Sequence, residues 1–251
     1  MCGTNRQHSA TYEPESASSA GQSTPQSVGE AGHPAMVEAP LIDLATGRRS
    51  LNAGDQLVET GTRSQAYYIV IKGMLASSAA CGEGGHRVLG FHLPGDLLMP
   101  GSSLPVWDKK IRAVAPAEVA ILHLDALERA CGRDPRLALR FAAAVRHELG
   151  RRVEDERRLR ALSVEGRFAA FLIDLGRRMG KARDGGVLVP LPMMRTEIAN
   201  YLGFRTETAC RILARWKKRG LIASKGRHCI EVPDFAKLRV VADELGAPNV
   251  A

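Results

Sequence analysis

Glu197-Ile198-Ala199-Asn200-Tyr201-Leu202-Gly203-Phe204-Arg205-Thr206-Glu207-Thr208-Ala209-Cys210-Arg211-Ile212-Leu213-Ala214-Arg215-Trp216 is the stretch on which the fold turns. Two short helical patterns meet there at Gly203. At about 100° per residue, Ala209, Ile212, Leu213 and Trp216 fall on one side of the second pattern. Glu207, Cys210, Arg211, Ala214 and Lys218 fall on the other. The apolar side packs on the preceding helix, so the polar side faces outward and can enter a DNA major groove. Arg211 carries a planar fork that matches O6 and N7 of guanine, a contact worth about 1–3 kcal/mol of discrimination. Glu207, one turn earlier, can accept from a cytosine amino group or brace Arg211 as an i,i+4 pair. Taken alone, that pair is equally an ordinary solvated feature of a surface helix.

The flanks add context. Downstream, Lys225-Gly226-Arg227 stands between the apolar runs 221–223 and 229–232, which predicts a hairpin. Upstream, Arg167-Phe168-Ala169-Ala170-Phe171-Leu172 begins an amphipathic helix and Val187-Leu188-Val189-Pro190 reads as a short strand. Helix, helix, turn, helix and a two-stranded wing is the order of a winged helix-turn-helix, here over residues 163–246. Arg195, Thr196, Arg205, Thr206, Arg215, Lys217, Lys218, Lys225 and Arg227 are its candidate phosphate contacts. Such contacts position a protein on DNA without reading sequence, and several of these charges could serve solubility alone.

Residues 133–162 predict one long helix, with Pro135 suited to its first turn. Leu137, Phe141, Val145, Leu149, Val153 and Leu159 make a rough apolar stripe amid Arg and Glu. A helix of about 40 Å is too long to pack fully on one small domain. It is expected to pair with its twin in a homodimer, with Phe141, Val145, Leu149, Arg152, Glu156 and Leu159 in the seam. The alternative is a long helix folded onto its own N-terminal domain.

Residues 39–132 have a different texture. Short apolar runs are cut by turn formers: Asn52-Ala53-Gly54-Asp55, then Tyr67-Tyr68-Ile69-Val70-Ile71-Lys72-Gly73, then Phe91-His92-Leu93-Pro94-Gly95-Asp96. Aromatic and β-branched residues at such spacing argue for a compact β-barrel or β-roll. Residues 115–124 read as its closing strand, and Asp125 as the cap of a following helix. Residues 1–38 are rich in Ser, Gly, Pro, Gln and Ala with a single basic residue, Arg6, and are expected to be a disordered tail. The fold class is therefore α+β.

Thirty-five Lys and Arg against 27 Asp and Glu leave a net charge of +8 across 251 residues. The excess is uneven. Residues 1–132 hold ten basic against 13 acidic side chains, 133–162 nine against five, and 163–251 sixteen against nine. The basic end coincides with the predicted helix-turn-helix, the electrostatic footprint of a DNA reader. No apolar run approaches the roughly 20 residues of a membrane helix, and the first residues lack the apolar core of a signal peptide. A cytoplasmic protein with no membrane partner is expected. The five cysteines, at 2, 81, 131, 210 and 229, are odd in number and widely spaced, which suits reduced thiols and gives no zinc pattern. His86, His92 and His123 show no paired ligand spacing, so no metal site is expected. No Ser–His–Asp or Cys–His order and no GxxxxGK[ST] loop suggests an enzyme.

Gly54-Asp55, Gly73, Pro94-Gly95-Asp96 and above all Glu197-Ile198-Ala199-Asn200-Tyr201-Leu202-Gly203 with Glu207-Thr208 and Arg211-Ile212-Leu213 give the chain a resemblance to the Crp/Fnr family of bacterial transcription regulators. The likeness runs from about residue 40 to 245 and is nearer to the Fnr and FixK branches than to Crp. It implies a cyclic-nucleotide-binding-type β-roll, a long dimerisation helix and a C-terminal winged helix. It also implies double-stranded DNA with TTGAT-like half-sites and RNA polymerase as partners, with Glu207, Cys210 and Arg211 as base contacts. The departures matter as well. The iron–sulfur branch needs a group of closely spaced N-terminal cysteines and one in the roll, where this chain has only Cys2 and, at the roll position, Ile121. The cyclic AMP branch needs a Gly-Glu-Leu turn and an Arg-Ser pair, where this chain has Met99-Pro100-Gly101 and Trp107-Asp108. Neither an iron–sulfur cluster nor cyclic AMP is expected as a cofactor. Cys210 stands where the family carries serine, which makes it a redox candidate, since oxidation would add bulk or charge at the DNA surface. Arg205 replaces the family's helix-opening Ser or Thr, leaving Thr206 to cap one residue later. The output could also be gated by a small ligand in the roll or by thiol oxidation.

Overall fold

The computed structural model describes residues 39–58, 65–81, 85–99 and 109–244, which belong to one compact unit. The expected N-terminal tail with Cys2, and the stretches Pro100-Gly101 and Trp107-Asp108, lie outside the described residues.

The N-terminal part is a rolled antiparallel sheet. A short helix α1 (Ala39–Ile42) leads into β1 (Gly47–Leu51), β2 (Gln56–Val58), β3 (Ala66–Cys81), β4 (Gly85–His92), β5 (Leu97–Leu98) and β6 (Lys109–His123). The strand order is β1-β6-β3-β4, with β2 also pairing β6 and β5 also pairing β3. The two long strands, β3 and β6, form the spine, and their register shifts between Val70 and Leu75. Gly73 sits in that interval with φ +84°, and a methyl group there would run into the carbonyl of Pro116. A glycine facing a proline lets the two strands cross closely and bend, which rolls the sheet. Leu51, Leu57, Val70, Leu75, Leu98, Ile111 and Val119 fill the interior. The closing strand begins at Lys109, well before the expected 115, because pairing with β3 rather than local propensity carries it.

Helix α2 (Leu124–Arg133) starts one residue before Asp125, with His123 at its N-cap and no side-chain cap. Asp125 therefore lies in the first turn, where an acid favours the helix dipole, and is not the cap expected from sequence. Asp134 caps α3 (Pro135–Ala161), its carboxylate accepting from the Arg136 N–H at 2.9 Å. After an extended break at Leu162 and Ser163 comes α4 (Val164–Met179), capped by Ser163 through the Gly166 N–H at 3.1 Å. Then follow β7 (Lys181–Arg183), β8 (Gly186–Pro190), α5 (Arg195–Leu202), α6 (Thr206–Lys218), β9 (Ala223–Ser224), β10 (Cys229–Val232) and α7 (Phe235–Glu244). The second sheet has the order β7-β8-β10-β9.

The six expected seam residues do not share one environment. Phe141 and Val145 turn to the roll and pack beside Leu41, Ile69, Leu97 and Leu122, with the Phe141 ring 5.1 Å from that of Tyr67. Leu159 packs against the C-terminal core, and Arg152 is held by the buried Glu148 at 2.8 Å. Leu149 and Glu156 are exposed. The free apolar face of α3 is instead Leu139 (73% exposed), Leu149 (61%) and Val153 (62%). The 3.6-residue period carries the sequence stripe along the flank between the two faces. The body of the chain takes the inner half.

Candidate nucleic-acid interface

The reading unit is built on the apolar side of α6. Ala209, Ile212, Leu213 and Trp216 are buried, as helical phase requires, in a core with Phe168, Leu172, Ile198 and Leu202. The Phe168 ring lies 5.4 Å from Trp216 and 5.9 Å from Phe204. Trp216 donates its indole N–H to Glu165 at 3.3 Å. Gly203, with φ +74°, ends α5 in the left-handed conformation, and the next N–H, from Phe204, bonds back to the Ala199 carbonyl at 3.0 Å. This is the turn that sets α6 at an angle to α5.

The opposite side of α6 is open. Glu207, Cys210, Arg211, Ala214, Lys217 and Lys218 are exposed. Glu207 and Arg211 do not form the i,i+4 pair that their spacing allows, and among the described residues neither has an ion-pair partner. An unpaired guanidinium has all its donors available to a base edge. Cys210, the redox candidate, is a free exposed thiol on that same surface.

The candidate phosphate contacts divide into two groups. Arg195 and Thr196 are exposed in the first turn of α5, and Arg205 at the N-cap of α6. Lys217 and Lys218 close α6, and Arg227 is exposed at the wing tip beside Gly226, whose φ is +82°. Arg215 and Lys225 are already engaged. Arg215 pairs with Glu165 of α4, and Lys225 with Glu231 of β10 at 3.2 Å. Their spacing alone could not reveal those carboxylates, which come from other elements. Thr206 is half-buried inside α6, and Arg205 stands at the N-cap with no side-chain bond. The expected late cap by Thr206 is thus not formed.

Behind the reader lies a charged joint that sequence reasoning missed. Asp96, in the roll's Pro94-Gly95-Asp96 turn, accepts from Arg178 of α4 at 2.5 Å and Arg151 of α3 at 3.2 Å. Arg151 also reaches the buried Glu148 at 3.2 Å. Burial pushes the Asp155 carboxyl up and pushes the Tyr201 hydroxyl, which bonds to it, up as well. Burial also lowers Arg167, whose guanidinium donates to the Leu202 carbonyl at 2.8 Å. Phe91 of the roll stacks edge-on with Tyr201 at 5.4 Å and tilted with Phe171 at 5.8 Å. Roll and reader therefore share one apolar core, in which Met74, Ala76, Phe91 and Leu93 join Phe168 and Leu172.

Among the described residues, the thiols are not gathered as the ligands of an iron–sulfur cluster would be. Cys81, Cys131, Cys210 and Cys229 sit on β3, α2, α6 and β10, and among the described residues no three His, Cys, Asp or Glu side chains converge on a metal position. No helix among the described residues is long and apolar enough to cross a membrane.

Residues 166–241 match the model of the Crp-like helix-turn-helix domain. Over 206 residues the chain is 28% identical to electron transport regulator A of Shewanella oneidensis, covering 80% of this chain and 81% of that protein. It is 27% identical over 196 residues to the transcriptional activator protein FnrA of Stutzerimonas stutzeri, covering 75% and 78%. Among solved structures, FixK2 of Bradyrhizobium japonicum superposes with a TM-score of 0.68 at 25% identity, over 81% of this chain and 98% of that one.

Proposed function

Because the chain belongs to the Crp/Fnr family of bacterial transcription regulators, we propose that two copies of it bind a two-fold DNA site with TTGAT-like half-sites. The chain is a regulator and not an enzyme, like the relatives it resembles. The observation that carries the reading is the outward face of α6. Glu207, Cys210 and Arg211 stand free on a helix whose other side is locked into the core, beside a wing that presents Arg227. Arg211 reads a guanine through its fork and Glu207 reads the paired strand through a cytosine amino group. Arg195, Arg205, Lys217, Lys218 and Arg227 hold the phosphates, while Arg215 and Lys225 contribute less because each is neutralised within the chain.

The partner on the free face of α3 is a second copy. Leu139, Leu149 and Val153 recur on one side of the 27-residue helix and expose apolar surface that a twin helix would cover. Pairing there places two α6 helices on successive major grooves, about one helical turn apart. RNA polymerase as partner and the cytoplasm as location follow from membership of the family. The regulator works in this reading without a resident cluster or cyclic nucleotide.

Fluorescence anisotropy on a TTGAT palindrome and a scrambled duplex tests the reading. Arg211→Ala should lose about 5- to 100-fold of the preference for the palindrome. Lys218→Ala should weaken both duplexes alike and lower the salt slope by about one. An Arg211→Ala protein with the wild-type ratio would refute the assignment of α6. For the dimer, Leu149→Glu should shift sedimentation towards monomer, and an unchanged dimer would refute the seam.

A further inference from the structure

We propose that Asn200 and Glu197 are positioning residues that set the half-site spacing, by clasping the DNA reader to the edge of its own roll. The inference rests on the reading that a dimer binds two half-sites. Strand β4 lies at the end of the roll's strand order, so one side of it offers N–H and C=O groups with no neighbouring strand among the described residues. The Asn200 side chain answers two of them. Its Oδ1 accepts from the Val88 N–H at 2.7 Å, and its Nδ2 donates to the His86 carbonyl at 3.1 Å. Those two groups flank Arg87, as the groups met by one residue of a parallel strand would. Only one orientation of the carboxamide satisfies both, so the contact fixes direction as well as distance. An α-helix thus caps a sheet edge through a single side chain.

Glu197 adds a second point, one turn earlier on α5. One carboxylate oxygen accepts the Met194 N–H at 2.9 Å, which anchors the start of the helix. The other pairs with Arg112 of β6. Arg112, Lys110 and His86 rise from the same sheet face, as the register places Ala76, Ser78 and Ala80 beside them in alternation. They line a cleft of about 310 Å³ beneath α5 together with Thr196. Glu197 is the carboxylate among the residues lining that cleft, so without it Arg112 faces other cations.

The covalent connection does not supply this rigidity. Between α3 and α4 lie only Leu162, with φ −94° and ψ 149°, and Ser163, with φ −60° and ψ 165°. Two residues of extended backbone have four soft dihedrals. The clasp closes a loop of contacts from α6 through α5 to β4, and from the roll to α3 through Asp96 and Arg151. With α3 paired to its twin, the distance between the two reading helices then follows from the roll.

The test uses the full chain and duplexes in which two half-sites stand about 9, 10, 11 and 12 base pairs apart, centre to centre. Asn200→Ala, Glu197→Gln and Val88→Pro are compared with wild type. Val88 directs its N–H outward to Asn200, so proline there removes the same bond from the roll side, at an edge position that tolerates it. Each variant should flatten the spacing profile, reducing the preference for the best spacing by about 5- to 30-fold. Binding to a duplex with one half-site should stay near wild type, and so should the melting temperature of Asn200→Ala, whose two backbone partners lie at an exposed edge; a merely structural loss would not allow both. If Val88→Pro fails to fold, Asn200→Ala decides. A wild-type profile in the variants overturns the inference, as does tighter binding at every spacing, which would mean that the clasp holds the reader away from DNA. A wild type without any spacing optimum would instead remove the dimer reading on which it rests.

Discussion

Asn52-Ala53-Gly54-Asp55 and Leu93-Pro94-Gly95-Asp96 are the same turn used twice. In both, the aspartate N–H bonds to the carbonyl three residues back, at 3.1 and 3.0 Å. In both, its carboxylate accepts the N–H of that residue, at 2.8 and 2.9 Å. The glycines have φ +95° and +88°. Each turn also seats on one strand residue through two bonds: Gly54 and Asp55 on Ala113, Gly95 and Asp96 on Val70. Locally nothing separates them. Yet Asp55 is exposed, whereas Asp96 is 4% exposed and holds Arg151 and Arg178 from two different helices. The same four-residue chemistry closes a loop at one end of the roll and joins three elements at the other. What differs is which elements the chain brings to it.

The largest expected effect comes from removing each carboxylate. Asp96→Ala leaves Arg178 without its carboxylate and Arg151 with Glu148 alone, and should cost roughly 3–5 kcal/mol. Asp55→Ala loses one exposed side-chain bond and should cost about 0.5–1 kcal/mol. Urea midpoints measure both, and equal losses would break the contrast. Next come the glycines. Gly54→Ala and Gly95→Ala each force a left-handed alanine, with no atom within 4 Å of the new methyl. Both should lose about 1–2 kcal/mol, and by the same amount, because the backbone cost is local.

Neighbouring acids on α3 sharpen the same point. Burial, with Asp174 nearby, raises the Asp155 carboxyl despite Arg151 and Arg158. A group raised on folding favours the fold below its ordinary range and loses that contribution as pH rises through its folded value. Asp155→Asn, which keeps a partner for Tyr201, should therefore raise the melting temperature at pH 7. The gain should fade as acid protonates the wild type. Glu154 moves the other way, lowered to about 2 by its hydrogen bond to Arg157 and then by Arg158. Its contribution is present above the ordinary carboxylate range and lost as pH falls towards 2. With its side chain 39% exposed and screened by solvent, it is worth only a few tenths of a kcal/mol, and Glu154→Gln should remove that much at pH 7. Melting curves between pH 3 and about 7 separate the two residues.

Much of the reader was legible because its signals are local. Helical phase alone sorted Ala209, Ile212, Leu213 and Trp216 from Glu207, Cys210 and Arg211, and Gly203 marked the turn. Other elements left weak traces. β7 is Lys181-Ala182-Arg183, exposed throughout, and owes its strand form to pairing with β8. α7 was missed although Phe235, Leu238, Val241 and Ala242 repeat at helical spacing and Asp234 accepts from the Ala236 N–H at 2.8 Å. It packs on α4, where Phe235 fills the space left by Gly176. The residues expected in the seam divide between environments for a similar reason. Period shows that α3 has an apolar side, but the roll decides how much of that side is already covered.

The sequence by itself determined the periodic and turn-bound features of this protein. These are the outward polar face of α6, the paired Gly-Asp turns and the basic C-terminal end, all set by forces that act within a few residues. The tertiary structure decided which charges are spent and which are free. Glu165 takes Arg215, Glu231 takes Lys225, Asp96 takes Arg151 and Arg178, and Asn200 takes the edge of β4. Each of those partners is brought to its site by the fold of the backbone, and Asn200 lies 112 positions along the chain from Val88. A bond across that distance forms only once hydrophobic burial has brought roll and reader into one core.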